Sequence, residues 1–304
     1  MSRRRLAPSK RPNDRVMIYE LLFAPFETEG MRLSLAAVMA LVFSAAPVGV
    51  FLMLRRMSLV GDAMSHAILP GAAIGFLLGG LNVFTMTFGA LVAGLLIALL
   101  AGVIARTTEL KEDASLAVFL LVSLALGVVI VTAKGTDVDL MDFLFGEIGN
   151  ISRQKLLVIN GNTTISLIVL ALIYRPLVLD CVDPGFLRSV SRAGAVAHLA
   201  FLALLVINLI SGFHALGTLL GVGIMIIPAT TAAFWTRDIT GMIAVAIASG
   251  AVSGLLGILL SFNAKIPAGA GVILVAGLFY IGSVLFGRIG GLLWRAFPGR
   301  HLEA

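Results

Sequence analysis

Charged side chains are scarce in this chain of 304 residues: they make up 12% of it, whereas hydrophobic residues make up 59%. A soluble core of this size would need far more polar surface around it. Apolar runs recur from about residue 33 to about residue 287. The sequence therefore predicts an all-α, polytopic integral membrane protein, a helical bundle of about eight to nine transmembrane helices.

Cysteine is nearly absent as well, because Cys181 is the single one. One thiol excludes a disulfide within the chain and a multi-cysteine zinc or iron–sulfur site. The sequence also has no G-x-x-x-x-G-K-[ST] phosphate loop, no H-E-x-x-H pair and no nucleophile elbow. We therefore expect neither ATP hydrolysis by the chain itself nor a permanently bound cofactor.

The few charged residues leave a net charge of +6. Basic residues concentrate in the N-terminal tail and between the apolar runs, where orientation in a lipid bilayer explains them better than nucleic-acid binding does. We expect three parts: a basic tail with room for an interfacial helix over 1–32, a transmembrane domain over 33–287, and a C-terminal tail over 288–304.

About 20 helical residues cross a hydrocarbon core of about 30 Å. Pro47, Pro70 and Pro228 predict kinks, and segment 62–80 is predicted to be the most irregular. On this measure the candidate spans are 33–54, 62–80, 83–105, 114–133, 156–174, 193–211, 215–235, 240–262 and 268–287.

The connections between the spans predict the orientation. If the chain alternates sides, most of their Lys and Arg residues fall on the side of the C-terminus, which the positive-inside rule makes cytoplasmic. The same scheme puts the basic N-terminal tail outside, against the rule. Either the tail is an exception or one segment does not span.

Glycines recur at the spacing of tightly packed membrane helices. Such stripes let helix backbones approach closely in lipid, and they predict packing without any chemistry. The sets are Gly71/Gly75/Gly79, Gly217/Gly221 and Gly250/Gly254.

Asp62 and His66 stand four residues apart in an apolar segment, so their side chains share one helix face. Each is costly in a membrane unless it meets a partner, a cation or water. Carboxylate plus imidazole suits Zn²⁺, Mn²⁺ or Fe²⁺. The pair therefore predicts a cation pathway; the alternative is a hydrogen-bonded Asp–His pair at a helix start, with Asp62 at the N-cap or in the first turn.

Two ligands make an incomplete metal shell. A second copy of the chain on a two-fold axis would supply two oxygens and two nitrogens, a tetrahedral set that favours Zn²⁺ marginally. His214, in a short turn at a predicted external mouth, is a candidate entry ligand, with a solvated loop histidine as the alternative. His198 is predicted to be a hydrogen-bonded residue of the bundle.

With these residues, the chain resembles the membrane permease subunits of bacterial ABC importers for zinc, manganese and related divalent metals. The most specific match is Leu54 to Gly71, L-R-R-M-S-L-V-G-D-A-M-S-H-A-I-L-P-G, close to the family's G-D-A-x-S-H-x-x-L-P-G signature. Further matches lie at 139–146, 215–232 and 266–269. The resemblance covers nearly the whole chain after residue 33 and implies that Asp62 and His66 coordinate the metal in transit.

Residues 183–191 resemble a stretch of the family's large cytoplasmic loop, which implies docking to the ATP-binding subunit. The residues concerned are Asp183, Pro184, Phe186 and Arg188. The alternative is an ordinary basic loop helix.

The resemblance further implies a subunit of the bacterial inner membrane that forms a homodimer, binds two copies of a separate ATPase and receives a divalent metal from an extracytoplasmic binding protein. An ATP-independent secondary transporter or channel is the first alternative, and it would favour ionisable residues in several spans. An intramembrane metallohydrolase is the second; it would need a third ligand and a general base.

Overall fold

The structure, a computed structural model, describes residues 24–80, 82–108, 112–133, 151–183, 186 and 193–293. All regular structure in these ranges is helical, beginning with a short 3₁₀ helix at Ala24–Glu27. The α-helices are α1 Glu29–Leu54, α2 Ser58–Ala67, α3 Leu69–Gly79, α4 Val83–Thr107, α5 Glu112–Ala133, α6 Arg153–Val182, α7 Ala193–Leu216, α8 Thr218–Ala233, α9 Ile239–Ala264 and α10 Ala268–Phe286.

Seven stretches of these helices are long and apolar enough to cross a membrane: α1, Val60–Gly79 across α2 and α3, and most or all of α4, α6, α7, α9 and α10. Shorter apolar stretches lie in α5, at Leu116–Gly127, and in α8, at Leu220–Ala233. The prediction of an all-α, polytopic membrane protein is confirmed.

Helix α1 lies at the centre of the bundle and packs against α6, α7, α8 and α9. Most of its second half is fully buried, including Val48, Phe51 and Leu52. Pro47 lies inside α1, where neighbouring helices surround it. The central position of α1 means that the four helices packed against it are positioned by their contacts with it.

Helices α1 and α6 run parallel along their whole length. Glu29 and Arg153 pair at their N-terminal ends, with 2.7 Å between Glu29 Oε1 and Arg153 Nη2. At their C-terminal ends, Arg55 pairs with Asp180. The start of α1 therefore lies on the same side of the bundle as residue 153 and opposite Arg55, as the alternating scheme predicts.

Polar side chains connect α6 to its neighbours inside the apolar bundle. Asn208 Nδ2 on α7 donates to Ser166 Oγ at 3.1 Å, and Asn162 Nδ2 on α6 donates to Ser211 Oγ at 3.0 Å. Thr163 Oγ1 donates to the carbonyl of Ala40 on α1 at 3.2 Å. Such bonds fix which helix faces meet, since lipid offers no competing partner.

Glycines bring the helices into backbone contact, as their spacing predicts. A Cβ at Gly71 of α3 would lie 2.7 Å from the carbonyl carbon of Gly89 on α4. One at Gly254 of α9 would lie 2.7 Å from a methyl carbon of Val38 on α1. These are helix crossings that admit no side chain without movement of a neighbour.

Two helix boundaries differ from the predicted spans. The segment predicted over 62–80 begins at Ser58 and is divided at Ile68 into two helices. Pro70 lies in the first turn of the second helix, a position that proline favours because its missing N–H is not needed there. The segment predicted to turn at 211–214 stays helical through Leu216. The break falls instead at Gly217, whose φ of 97° is a conformation that glycine adopts without steric cost.

Candidate functional site

The short helix α2 presents the Asp62/His66 pair. Val60, Met64 and Ala67 are at most 1% exposed, and they hold one face of α2 inside the bundle. Asp62 and His66 lie on the other face, with side chains 63% and 31% exposed. Their four-residue spacing aligns them along that face, as the sequence predicts.

The two side chains face each other without a hydrogen bond. Asp62 Oδ1 and His66 Nε2 lie 4.0 Å apart, beyond the range of 2.7–3.2 Å typical of such bonds. Moreover, α2 starts at Ser58 after Met57, so Asp62 is neither its N-cap nor in its first turn. The alternative of an Asp–His pair capping the helix is therefore wrong. An oxygen and a nitrogen at this separation can share a cation placed between them.

The imidazole of His66 offers one nitrogen to this gap. Its Nδ1 is buried and has no hydrogen-bond partner among the described residues. Its Nε2 is the nitrogen that approaches Asp62. The backbone carbonyl of Asp62 accepts a hydrogen bond from Ser65 Oγ at 2.7 Å, which leaves the Asp62 carboxylate out of this bond.

One chain supplies only part of a metal shell. In the described ranges, no three His, Cys, Asp or Glu side chains gather into a group able to hold a metal ion. His214 does not join Asp62 and His66, and it does not lie in a turn. It belongs to the last turn of α7, is 7% exposed, and its Nε2 lies 2.7 Å from Thr87 Oγ1 of α4. The expectation of a solvated loop histidine is corrected by this burial.

A second set of predicted residues follows the end of α6, and we call residues 183–188 the docking segment. Asp183 is the C-cap of α6, and its Oδ1 accepts from the backbone N–H of Phe186 at 2.9 Å. This bond ties Phe186 to the end of α6. Phe186 is 52% exposed. Pro184 and Arg188 lie outside the described residues.

Sequence reasoning missed a cluster around Arg55, which it treated only as an orientation charge. Arg55 Nη2 donates to Asp180 Oδ2 and lies 3.1 Å from His198 Nδ1. The guanidinium carbon lies 5.1 Å from the ring centre of Phe201. His198 is thus a hydrogen-bonded bundle residue, as predicted. The sequence feature that could have pointed to this cluster is Asp180, an acidic residue at the end of the largely apolar helix α6.

The membrane bundle has hydrogen bonds between polar side chains in its interior, and its short helix α2 carries a carboxylate and an imidazole. These are features of a membrane permease. A family model described as the ABC 3 transport family matches residues 27–287. The chain belongs to this family, and it is the metal-transporting permease of an ABC importer.

Relatives and a solved structure agree with this assignment. The chain is 32% identical over 257 residues to the manganese transport system membrane protein MntC of Halalkalibacterium halodurans, covering 84% of this chain and 87% of the relative. It is 30% identical over 275 residues to a probable iron transport system membrane protein of Haemophilus influenzae, covering 90% and 99%. The solved structure of PsaBC from Streptococcus pneumoniae in complex with Fab aligns with a TM-score of 0.80 at 26% identity, covering 92% of this chain and 100% of that chain.

The family resolves the alternatives raised by the sequence. The chain is a multi-pass subunit of an ABC system, so an ATP-independent transporter or channel does not describe it. Its relatives are transporter permease subunits, which favours a permease over the intramembrane metallohydrolase.

Proposed function

We propose that this chain forms the path by which an ABC importer carries Mn²⁺ into the cytoplasm, with Asp62 and His66 as the residues that hold the ion in transit. The observation that carries this proposal is the open pair on α2: an exposed carboxylate oxygen 4.0 Å from an imidazole nitrogen. A cation between them would be held by both side chains, which offsets the cost of a charge on a membrane helix.

The exposure of Asp62 also supports a homodimer. A carboxylate that is 63% exposed on a membrane helix cannot face lipid at low cost. Its face of α2 therefore meets water or a second copy of the chain. Two copies related by a two-fold axis would contribute two oxygens and two nitrogens to one site.

The ligand types restrict the metal without naming it. Carboxylate and imidazole suit Mn²⁺, Fe²⁺ and Zn²⁺, whereas Cu⁺ prefers sulfur. Tetrahedral geometry alone gave Zn²⁺ a small advantage. The relatives named for manganese and iron transport move the preference to Mn²⁺, with Zn²⁺ as the competing cargo. His214 already engages Thr87, and we propose that it serves helix packing.

The remaining parts of the importer are proposed from the same family. Two copies of a separate ATPase would bind the docking segment, where exposed Phe186 offers an apolar contact and Asp183 accepts a hydrogen bond from its backbone. An extracytoplasmic binding protein would deliver the metal on the other side. This arrangement puts the C-terminus in the cytoplasm and the protein in the bacterial inner membrane.

The test is Mn²⁺ uptake by cells that depend on this chain. Asp62→Asn and His66→Ala should each lower uptake by more than the roughly 10- to 100-fold that loss of an outer-shell partner costs, because a ligand itself is removed. Glu29→Gln removes another exposed acid of the membrane domain and should leave uptake within about twofold. Normal uptake by either ligand variant would refute the site.

A parallel measurement decides the metal. Excess Zn²⁺ or Fe²⁺ is added during Mn²⁺ uptake, and the ion that competes most strongly at equal concentration is the preferred cargo. Strong competition by Zn²⁺ together with weak transport of Mn²⁺ would return the preference to zinc.

A further inference from the structure

Arg55, Asp180, His198 and Phe201, which we call the Arg55 cluster, join three helices at one end of the bundle. Arg55 caps α1, Asp180 lies in the last turn of α6, and the other two residues lie on α7. One guanidinium thus contacts a carboxylate, an imidazole and an aromatic ring.

Burial distinguishes the Arg55–Asp180 pair from the ion pair at the other end of the same two helices. The side chains of Arg55 and Asp180 are 11% and 16% exposed. Those of Arg153 and Glu29 are 81% and 58% exposed. Exposed pairs contribute little, whereas removing one partner of a buried pair leaves a charge without compensation. The two pairs therefore form a matched comparison within one helix pair.

The cluster lies between the two sites assigned above. Arg55 is followed by Arg56, at a φ of 59°, and Met57, after which α2 begins at Ser58. The connection from Arg55 to α2 is therefore a tight turn with no slack. On the other side, Asp180 is three residues before Asp183, the first residue of the docking segment, which accepts a hydrogen bond from the Phe186 N–H. A displacement of the end of α6 reaches α2 through one ion pair and this turn.

One donor of Arg55 is left over. Its Nη1 is buried and has no hydrogen-bond partner among the residues that the structure describes. Buried groups of this kind are rare and call for an explanation. An arginine whose partners change between two arrangements of α6 and α7 would leave such a donor free in one of them.

We propose that the Arg55 cluster couples the docking segment to the helix that carries Asp62 and His66. Arg55 is then a positioning residue: it touches no metal, and it transmits movement of the end of α6 to α2. The inference rests on the proposed function, since it assigns a means of coupling to the same metal path.

The experiment uses the complete complex of this chain, the ATP-binding subunit that co-purifies with it and the metal-binding protein, reconstituted in vesicles. Mn²⁺ uptake and ATP hydrolysis are measured on the same preparation. The variants are Asp180→Asn, which removes the charge with little change of shape, and Arg55→Asp combined with Asp180→Arg, which exchanges the two charges. Glu29→Gln with Arg153→Gln is the control.

We expect Asp180→Asn to assemble and to hydrolyse ATP while Mn²⁺ moved per ATP falls at least about tenfold, since a buried charge loses its partner. The charge exchange should restore most of that ratio, and the control should stay within about twofold of the unaltered complex. A purely structural role would lower assembly and both activities together.

Three results would overturn the coupling role: an unchanged ratio in Asp180→Asn, an equal fall in the control, or loss of assembly in both charge variants. Failure of the proposed function is recognised separately, because the unaltered complex would then move no Mn²⁺ at all.

Discussion

Replacing Gly71 by alanine tests how closely α3 and α4 pack behind the short helix that carries Asp62 and His66. A Cβ there would lie 2.5 Å from Ala93 Cβ and would overlap the Gly89 carbonyl. Both neighbours belong to the backbone or its first side-chain atom, so neither can rotate away. The helices have to separate, and overpacking of this kind costs about 1–3 kcal/mol.

Gly277→Ala is the matched control for this change. Gly277 lies inside α10, and a Cβ at that position meets nothing within 4 Å. Both variants gain about 0.5–1 kcal/mol from the helix preference of alanine over glycine, so this gain cancels in the comparison. Gly71→Ala should therefore be about 1–3 kcal/mol less stable than Gly277→Ala.

Thermal unfolding of the two purified variants in the same detergent measures this difference, and Mn²⁺ uptake shows whether it reaches the metal path. We expect a lower melting temperature for Gly71→Ala and reduced uptake, because α3 follows α2 after a single residue. Equal melting temperatures would show that α3 and α4 do not touch through their backbones.

Two further predictions concern orientation and docking. In a Cys181→Ser background, a cysteine at Lys265 should react with a membrane-impermeant thiol reagent in intact cells, whereas one at Arg237, at the other end of α9, should react only after permeabilisation. The reverse labelling pattern would put the docking segment on the side of the membrane that has no ATP. Phe186→Ala should lower co-purification of the ATP-binding subunit several-fold, as expected for truncation of an aromatic anchor, while Phe262→Ala, an exposed aromatic at the opposite end of the bundle, should not; equal yields would place docking elsewhere.

Local pattern was sufficient for the helices and for the Asp62/His66 pair. Apolar runs of membrane length and a four-residue spacing depend only on neighbours along the chain, and the structure has both. The glycine stripes at Gly71 and Gly254 were also readable, because small residues in lipid signal close helix contact.

Contacts between distant residues were not readable in this way. Arg55 is 125 residues from Asp180 and 143 from His198, and nothing in the local sequence of any of them names the others. His214 was misplaced for the same reason, because its partner Thr87 lies on a helix 127 residues away. Its burial depends on tertiary packing, which overrides the polar character of the side chain.

The exposed carboxylate of Asp62 affects the steady-state amount of this protein in the membrane. An ionised acid on a membrane helix is costly when only lipid meets it, and 63% of the Asp62 side chain is uncovered in the single chain. A copy made in excess of its partners keeps this charge uncovered and is correspondingly unstable. Under the proposed assembly, one residue therefore marks unassembled copies for turnover, and the amount of protein in the membrane follows the supply of its partners.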